Sequence, residues 1–159
     1  MFHYEDCGLT IIWLTNGYTQ YEINNNSLTL IEDPQGLHRL IAKALICRRC
    51  ALAGDALGFL RREMTLSQSE LGDRMDVHPI WVNRWEQTAT PLPRRADIAL
   101  RTLYMSSLLA RSEEELHVHL VAESECFLLE EQLIFTFGCG RWQQDAPPLP
   151  GPTHPPLEI

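Results

Sequence analysis

The alternation of apolar and polar positions divides the chain into strand-like and helix-like stretches. Residues 9–14 (LTIIWL) and Tyr18–Ile23 (YTQYEI) are rich in β-branched and aromatic side chains and flank Asn16-Gly17. That dipeptide is the strongest short hairpin signal, so the two runs are expected to pair with each other. Residues 24–26 (NNN) read as a loop and residues 28–31 (LTLI) as a third strand. Asp33-Pro34 then opens a helix, Asp as N-cap and Pro at the first helical position, with Leu37, Leu40, Ile41, Ala44 and Leu45 at helical spacing. From about Gly54 to Ala110 the pattern is helical, interrupted at Thr65, at Asp76–His78 and at Thr88–Pro93. Residues 112–126 predict one more helix, and residues 132–137, 138–140 and 141–143 a strand, a turn and a second strand.

The fold class expected is mainly α with a small β part. Four segments follow: a β-hairpin-plus-helix module over 1–50, a helical domain over 51–111, an acidic helix and strand pair over 112–145, and a tail over 146–159. Six prolines in that tail predict an extended or disordered end.

The helical domain contains the most informative stretch, LSQSELGDRMDVHPIWVNRWEQ, from Leu66 to Gln87. Ser67 caps a first helix and Leu71 points inward. Gly72 sits where two crossing helices leave room for no more than a methyl. Asp76 suits the left-handed conformation of a tight turn that Val77 seals. On a wheel of about 100° per residue, Pro79–Gln87 puts Val82 and Trp85 on one side, with His78 and Glu86 flanking them. Ile80, Asn83, Arg84 and Gln87 fall together on the other, and Trp81 lies at the border. An aliphatic side chain, two amides and a guanidinium are the types that read major-groove base edges: Arg to guanine, Asn or Gln to adenine, a methyl-bearing chain to thymine. The same polar strip would also suit a helix face that meets only water.

Leu60-Arg61-Arg62, Leu66-Ser67-Gln68 with Glu70-Leu71, then Val77, Val82 and Arg84-Trp85-Glu86 resemble the Cro/phage-repressor (Xre) family of helix-turn-helix proteins. The resemblance covers roughly residues 55–105. It implies that Gln68 binds a DNA phosphate and supports the recognition helix, that Pro79, Ile80, Asn83 and Arg84 face bases or backbone, and that Arg61 and Glu86 form an internal ion pair. His78 stands where Ser or Thr usually caps that helix and touches phosphate; a histidine is the poorer cap. Pro79 removes a possible hydrogen bond and fixes the helix start. Trp81 is expected to cover the seam between the recognition helix and a neighbour, or to lie against a sugar-phosphate strand. Arg94 and Arg95 open the following helix, where dipole and guanidinium groups would together favour a phosphate. Leu100, Leu103, Tyr104 and Leu108 form an apolar face for domain packing or dimerisation. The partners implied are double-stranded DNA and a second copy of the chain.

Net charge changes the picture only by its distribution. The chain carries a formal −8, but residues 112–159 hold nine acids against one base, Arg141, while residues 1–111 balance at 12 against 12. The helical domain is therefore free to present a basic face. With 45% apolar residues among 159, a packed core is expected. No run is long enough to span a bilayer, and the N-terminus lacks the basic start and apolar core of a secretory signal, so a cytoplasmic protein is expected. Five cysteines, Cys7, Cys47, Cys50, Cys126 and Cys139, are an odd number and argue for reduced thiols.

Cys47-Arg-Arg-Cys50 has the spacing of half a zinc site, which His3 and Cys7 could complete; incidental thiols in a linker are the favoured reading, and no cofactor is expected. The layout also resembles the MqsA-type antitoxins, in which the N-terminal module binds zinc through two CxxC pairs and clasps a toxin. One such pair stands here. That resemblance keeps a toxin or other protein partner open, as does an adapter that retains the fold without DNA binding. His117, His119 and the run Glu113–Glu115 are read as solvated surface. No nucleophile elbow, phosphate-cradling glycine loop or metalloprotease spacing occurs, so no enzymatic activity is expected.

Overall fold

A computed structural model describes residues 1–23, 26–109 and 132–145. The predicted helix over 112–126, His117, His119, the Glu113–Glu115 run, Cys126 and the tail 146–159 lie outside the described residues.

The described residues form a mixed α and β fold of five helices and six strands in two small sheets. Strands β1 (Phe2–His3), β2 (Ile12–Leu14), β5 (Leu133–Gly138) and β6 (Arg141–Gln144) make one sheet in the order β1-β2-β5-β6, and β3 (Tyr18–Ile23) pairs with β4 (Asn26–Ile31) in the other. The helices are α1 (Pro34–Cys47), α2 (Gly54–Glu63), α3 (Gln68–Met75), α4 (Pro79–Glu86) and α5 (Arg94–Leu109).

The hairpin expected across Asn16-Gly17 does not form. β2 instead runs parallel to β5, with Ile12 opposite Leu133 and Leu14 opposite Phe135, while β3 turns away to pair with β4. The reason lies in Asn16 itself. Its side-chain amide acts as a surrogate backbone unit, donating from Nδ2 to the Phe137 carbonyl (2.9 Å) and accepting the Phe137 N–H at Oδ1 (2.6 Å). It thereby extends the parallel ladder past the end of β2. Gly17, at φ 72°, lies so close to β5 and β6 that a Cβ there would come within 2.7 Å of Phe137 Cβ. The dipeptide is a turn, but one that docks on a distant strand.

Local signals elsewhere are realised as read. Asp33 caps α1 by accepting the Gly36 N–H, with Pro34 in the first turn. The β5–β6 turn places Cys139 and Gly140 both at positive φ, the backbone of a two-residue hairpin. Trp142 on β6 is buried and donates its indole N–H to the Glu32 carbonyl at 2.7 Å, fixing the sheet to the start of α1.

One continuous core joins the sheet to the helices. Ile12, Leu14 and Phe135 from the strands, Leu37 and Ile41 from α1, and Phe59 from α2 are fully buried in it. The apolar face of α5 is spent on this core: Leu100 and Tyr104 are buried, and Leu103 and Leu108 pack partly against them. Arg101 on α5 closes the linker after α1 by donating to the carbonyls of Ile46, Arg48 and Cys50, each at 2.7 Å, while its Nε bonds Asp97. Asp97 in turn accepts the Leu52 N–H at 2.9 Å. Among the described residues, no helix is long and apolar enough to cross a membrane.

Candidate nucleic-acid interface

The site is built on α3 and α4. Ser67 and Glu70 form a reciprocal capping box: Ser67 Oγ accepts the Glu70 N–H, and the Glu70 carboxylate accepts the Ser67 N–H at 2.7 Å. Those bonds to Ser67 hold the Glu70 carboxyl below its ordinary range, since they favour the ionised form. At the other end Asp76 adopts φ 55°, ψ 45°, and the Val77 N–H returns to the Gly72 carbonyl at 2.9 Å. Gly72 is more constrained than expected. Even a methyl would lie 2.7 Å from the Val77 carbonyl oxygen, so only hydrogen fits.

His78 caps α4 in spite of its chemistry. Its Nδ1 accepts the Ile80 N–H at 3.2 Å, which places the proton of the neutral ring on Nε2. His78 is exposed, so that Nε2–H points to an available surface. Pro79 follows within the first turn, where it has no N–H to waste.

Along α4, Val82 is fully buried and Trp85 packs against the core, while Ile80, Trp81, Arg84 and Gln87 are exposed. Asn83 is half-buried because it is tied into a four-residue network. Arg61 on α2 grips the Glu86 carboxylate with Nε at 2.6 Å and Nη2 at 3.2 Å, and its Nη1 donates to the Leu66 carbonyl. Glu86 also accepts from Gln68 Nε2 at 2.7 Å, and Gln68 Oε1 accepts from Asn83 Nδ2 at 3.3 Å. The chain of bonds fixes which way both amides face. It leaves one N–H of Gln68, and one N–H plus the oxygen of Asn83, unspent.

Trp81 lies at the border of the helix's two faces. The residue is half exposed, its ring tilted against Trp85 with centroids 6.5 Å apart and carrying the Arg84 guanidinium 5.3 Å from its centroid. The i, i+3 spacing of Trp81 and Arg84 was the sequence signal for this contact. Among the described residues Arg84, Arg94 and Arg95 make no salt bridge, and all three are exposed. Arg94 and Arg95 stand in the first turn of α5, after a loop pinned by a bond from the Leu92 N–H to the Leu52 carbonyl at 2.8 Å.

Compared with known proteins, the chain matches no family model, no curated protein and no solved structure.

The zinc candidates are not brought together. His3 stacks on Trp13 with its Nε2 against the Thr10 carbonyl, whereas Cys7 is buried with its thiol donating to the Tyr4 carbonyl. Burial pushes that thiol pKa up, which disfavours the thiolate a metal needs. Cys47 is free and exposed at the end of α1; Cys50 is disulfide-bonded, which corrects the expectation of reduced thiols at that position. Among the described residues no three His, Cys, Asp or Glu side chains gather as a metal-holding group, and these four do not fit a zinc site.

A second cluster went unread in the sequence. His38 on α1 stands between Tyr4 and Glu63: its Nδ1 faces the Glu63 carboxylate at 2.9 Å and its Nε2 the Tyr4 hydroxyl at 2.9 Å. A carboxylate only accepts, so Nδ1 donates to it and the phenol donates to Nε2. Burial, then Cys7, Asp6 and Glu63 nearby, push the phenol up to about 12. Every polar atom of the ring is thus spent on joining the N-terminal segment, α1 and α2, which makes this a structural clasp. Nothing in the local sequence around His38 signals it.

Proposed function

We propose that this protein is a sequence-specific DNA-binding regulator of transcription, of the Cro/phage-repressor helix-turn-helix type, acting as a homodimer on a two-fold-related site. The observation that carries the reading is the outer strip of α4. Ile80, Arg84 and Gln87 are exposed together, while Asn83 beside them is oriented by Gln68 and the buried edge of the helix is anchored by Val82.

Each side chain has a part that its geometry allows. Arg84 presents a planar donor pair suited to guanine O6 and N7, and stacking on Trp81 reduces the freedom it must lose on binding. Asn83 keeps an amide N–H and its oxygen, the pair that adenine N7 and N6 require. Ile80 offers a surface for a thymine methyl, and Gln87 extends the strip at the helix C-terminus. The Nε2–H of His78, the second N–H of Gln68, and Arg94 and Arg95 at the positive end of α5 take phosphates, fixing register without reading sequence. Arg61 and Glu86 touch no DNA; they hold Gln68 in place.

The test is selection from a random duplex library by the purified full chain. The reading expects enrichment of a two-fold symmetric motif with half-sites about one helical turn apart, and binding that weakens steeply with salt. A library recovered without any enriched motif would overturn it.

A further inference from the structure

A cleft of about 800 Å³ lies between α1, the start of β6 and the last turns of α5, and reaches Glu63 and Thr65 at the end of α2. Three cations line it from two elements: Arg39 and Lys43, one turn apart on α1, and Arg141 on β6. All three are exposed, and among the described residues none makes an ion pair or a side-chain hydrogen bond. The two carboxylates beside them are already engaged. Asp33 caps α1 by accepting the Gly36 N–H, and Glu63 accepts from His38 Nδ1. Half-buried Leu40 and Leu108, with buried Tyr104, give the cleft an apolar side. Its walls are tied together within the fold. The Trp142 indole joins β6 to the carbonyls of Glu32 and Asp33 at 2.7 and 3.2 Å, just ahead of α1. The clasp of Tyr4, His38 and Glu63 joins α1 to α2.

We propose that this cleft binds a phosphorylated small organic molecule, its phosphate held by Arg39, Lys43 and Arg141 and its body laid on Leu40 and Leu108. Charge selects an anion. Cations gathered without partners repel one another, and a concave wall focuses their field, so an anion entering the cleft relieves the repulsion. Donor chemistry selects phosphate. Two guanidinium groups offer forked pairs of N–H donors and the lysine adds a point charge, a set matched to phosphate oxygens. Volume selects an organic molecule. The cleft falls within the roughly 300–1,000 Å³ of small-molecule sites, which a bare phosphate leaves mostly empty. A few convergent polar groups beside an apolar wall are the composition of such sites. Because α1, α2 and β6 are joined before anything binds, little ordering of the walls is left to oppose binding. None of these residues belongs to the α4 strip or to the phosphate anchors proposed beside it, so the inference stands apart from DNA binding.

Isothermal titration calorimetry of the full chain, with no DNA present, tests this with AMP, ADP and phosphoenolpyruvate. Inorganic phosphate and citrate at equal ionic strength serve as the bare phosphate and the phosphate-free organic anion. At least one phosphate ester should bind with a micromolar Kd, about tenfold or more tighter than inorganic phosphate or citrate. Arg39→Gln and Arg141→Gln should each weaken that ester by about tenfold. Circular dichroism should stay as in wild type, because both side chains are exposed. Arg74→Gln, on α3 and outside the cleft, should leave the affinity unchanged. In the unaltered protein, amide NMR shifts on adding the ester should concentrate in residues 35–43, 63–65 and 141–142. Failure of every ester to bind at millimolar concentration overturns the proposal. So does inorganic phosphate or citrate binding as tightly as the best ester, a folded Arg39→Gln or Arg141→Gln variant with wild-type affinity, an equal loss in Arg74→Gln, or shifts confined to other residues.

Discussion

Arg84 lays its guanidinium over the exposed ring of Trp81, 5.3 Å from the centroid, one helical turn along α4. The indole is about half exposed and is not part of the buried core, so its cost to folding on removal is small, yet it fixes the direction of the one arginine that the strip presents. Trp81→Ala should therefore leave the thermal midpoint nearly unchanged and weaken binding to the selected duplex by about 0.5–1 kcal/mol, the scale of an exposed cation–π contact. A stability loss of several kcal/mol would place Trp81 in the core instead.

Glu86 joins Arg61, Gln68 and, through it, Asn83, and its side chain is largely buried beside that of Arg61. Glu86→Ala leaves a guanidinium without its counter-ion inside the fold and releases both amides. Urea denaturation should register a loss of about 3 kcal/mol. The double replacement of Arg61 and Glu86 by apolar residues of similar volume should recover much of it, since the uncompensated charge is then gone.

Gly72 faces the backbone of the α3–α4 turn, with room for hydrogen only. Gly72→Ala gains helix propensity but must push the Val77 carbonyl away, and overpacking at this scale costs about 1–3 kcal/mol. Denaturant midpoints decide which effect wins; a stabilised variant would mean that the turn yields.

The capping box gives a pH dependence with a definite sign. Bonds to Ser67 lower the folded-state pKa of Glu70, so the stabilisation from its ionised form is present above the unfolded-state pKa and is lost as pH falls through the lowered folded value. Ser67→Ala should cost about 1 kcal/mol at neutral pH, and the gap between wild type and variant should narrow in acid below the ordinary carboxylate range. Thermal midpoints at neutral and acid pH check this; a gap that widens in acid would contradict it.

Local chemistry made the helices legible. Asp33-Pro34, Ser67 with Glu70, and Asp76 act within a few residues, and each punctuates the chain where the sequence places it. The burial of Val82 and the exposure of Ile80, Arg84 and Gln87 followed from a 100° wheel for the same reason. Contacts between distant residues were not legible. Asn16-Gly17 carries every mark of a hairpin turn, yet Phe137, more than 100 residues on, takes both ends of the Asn16 amide. The three carbonyls gathered by Arg101 and the clasp of Tyr4, His38 and Glu63 are likewise set by tertiary packing, which no local pattern encodes.

The most direct measurement of the central claim is fluorescence anisotropy of wild type and Arg84→Ala on the selected duplex and on single-base-pair variants of it. If α4 reads bases, Arg84→Ala loses about 1–3 kcal/mol on the preferred site and loses discrimination at one base pair while keeping it elsewhere. Equal weakening on every duplex, or wild-type protein that binds none of them at low salt, would contradict the account.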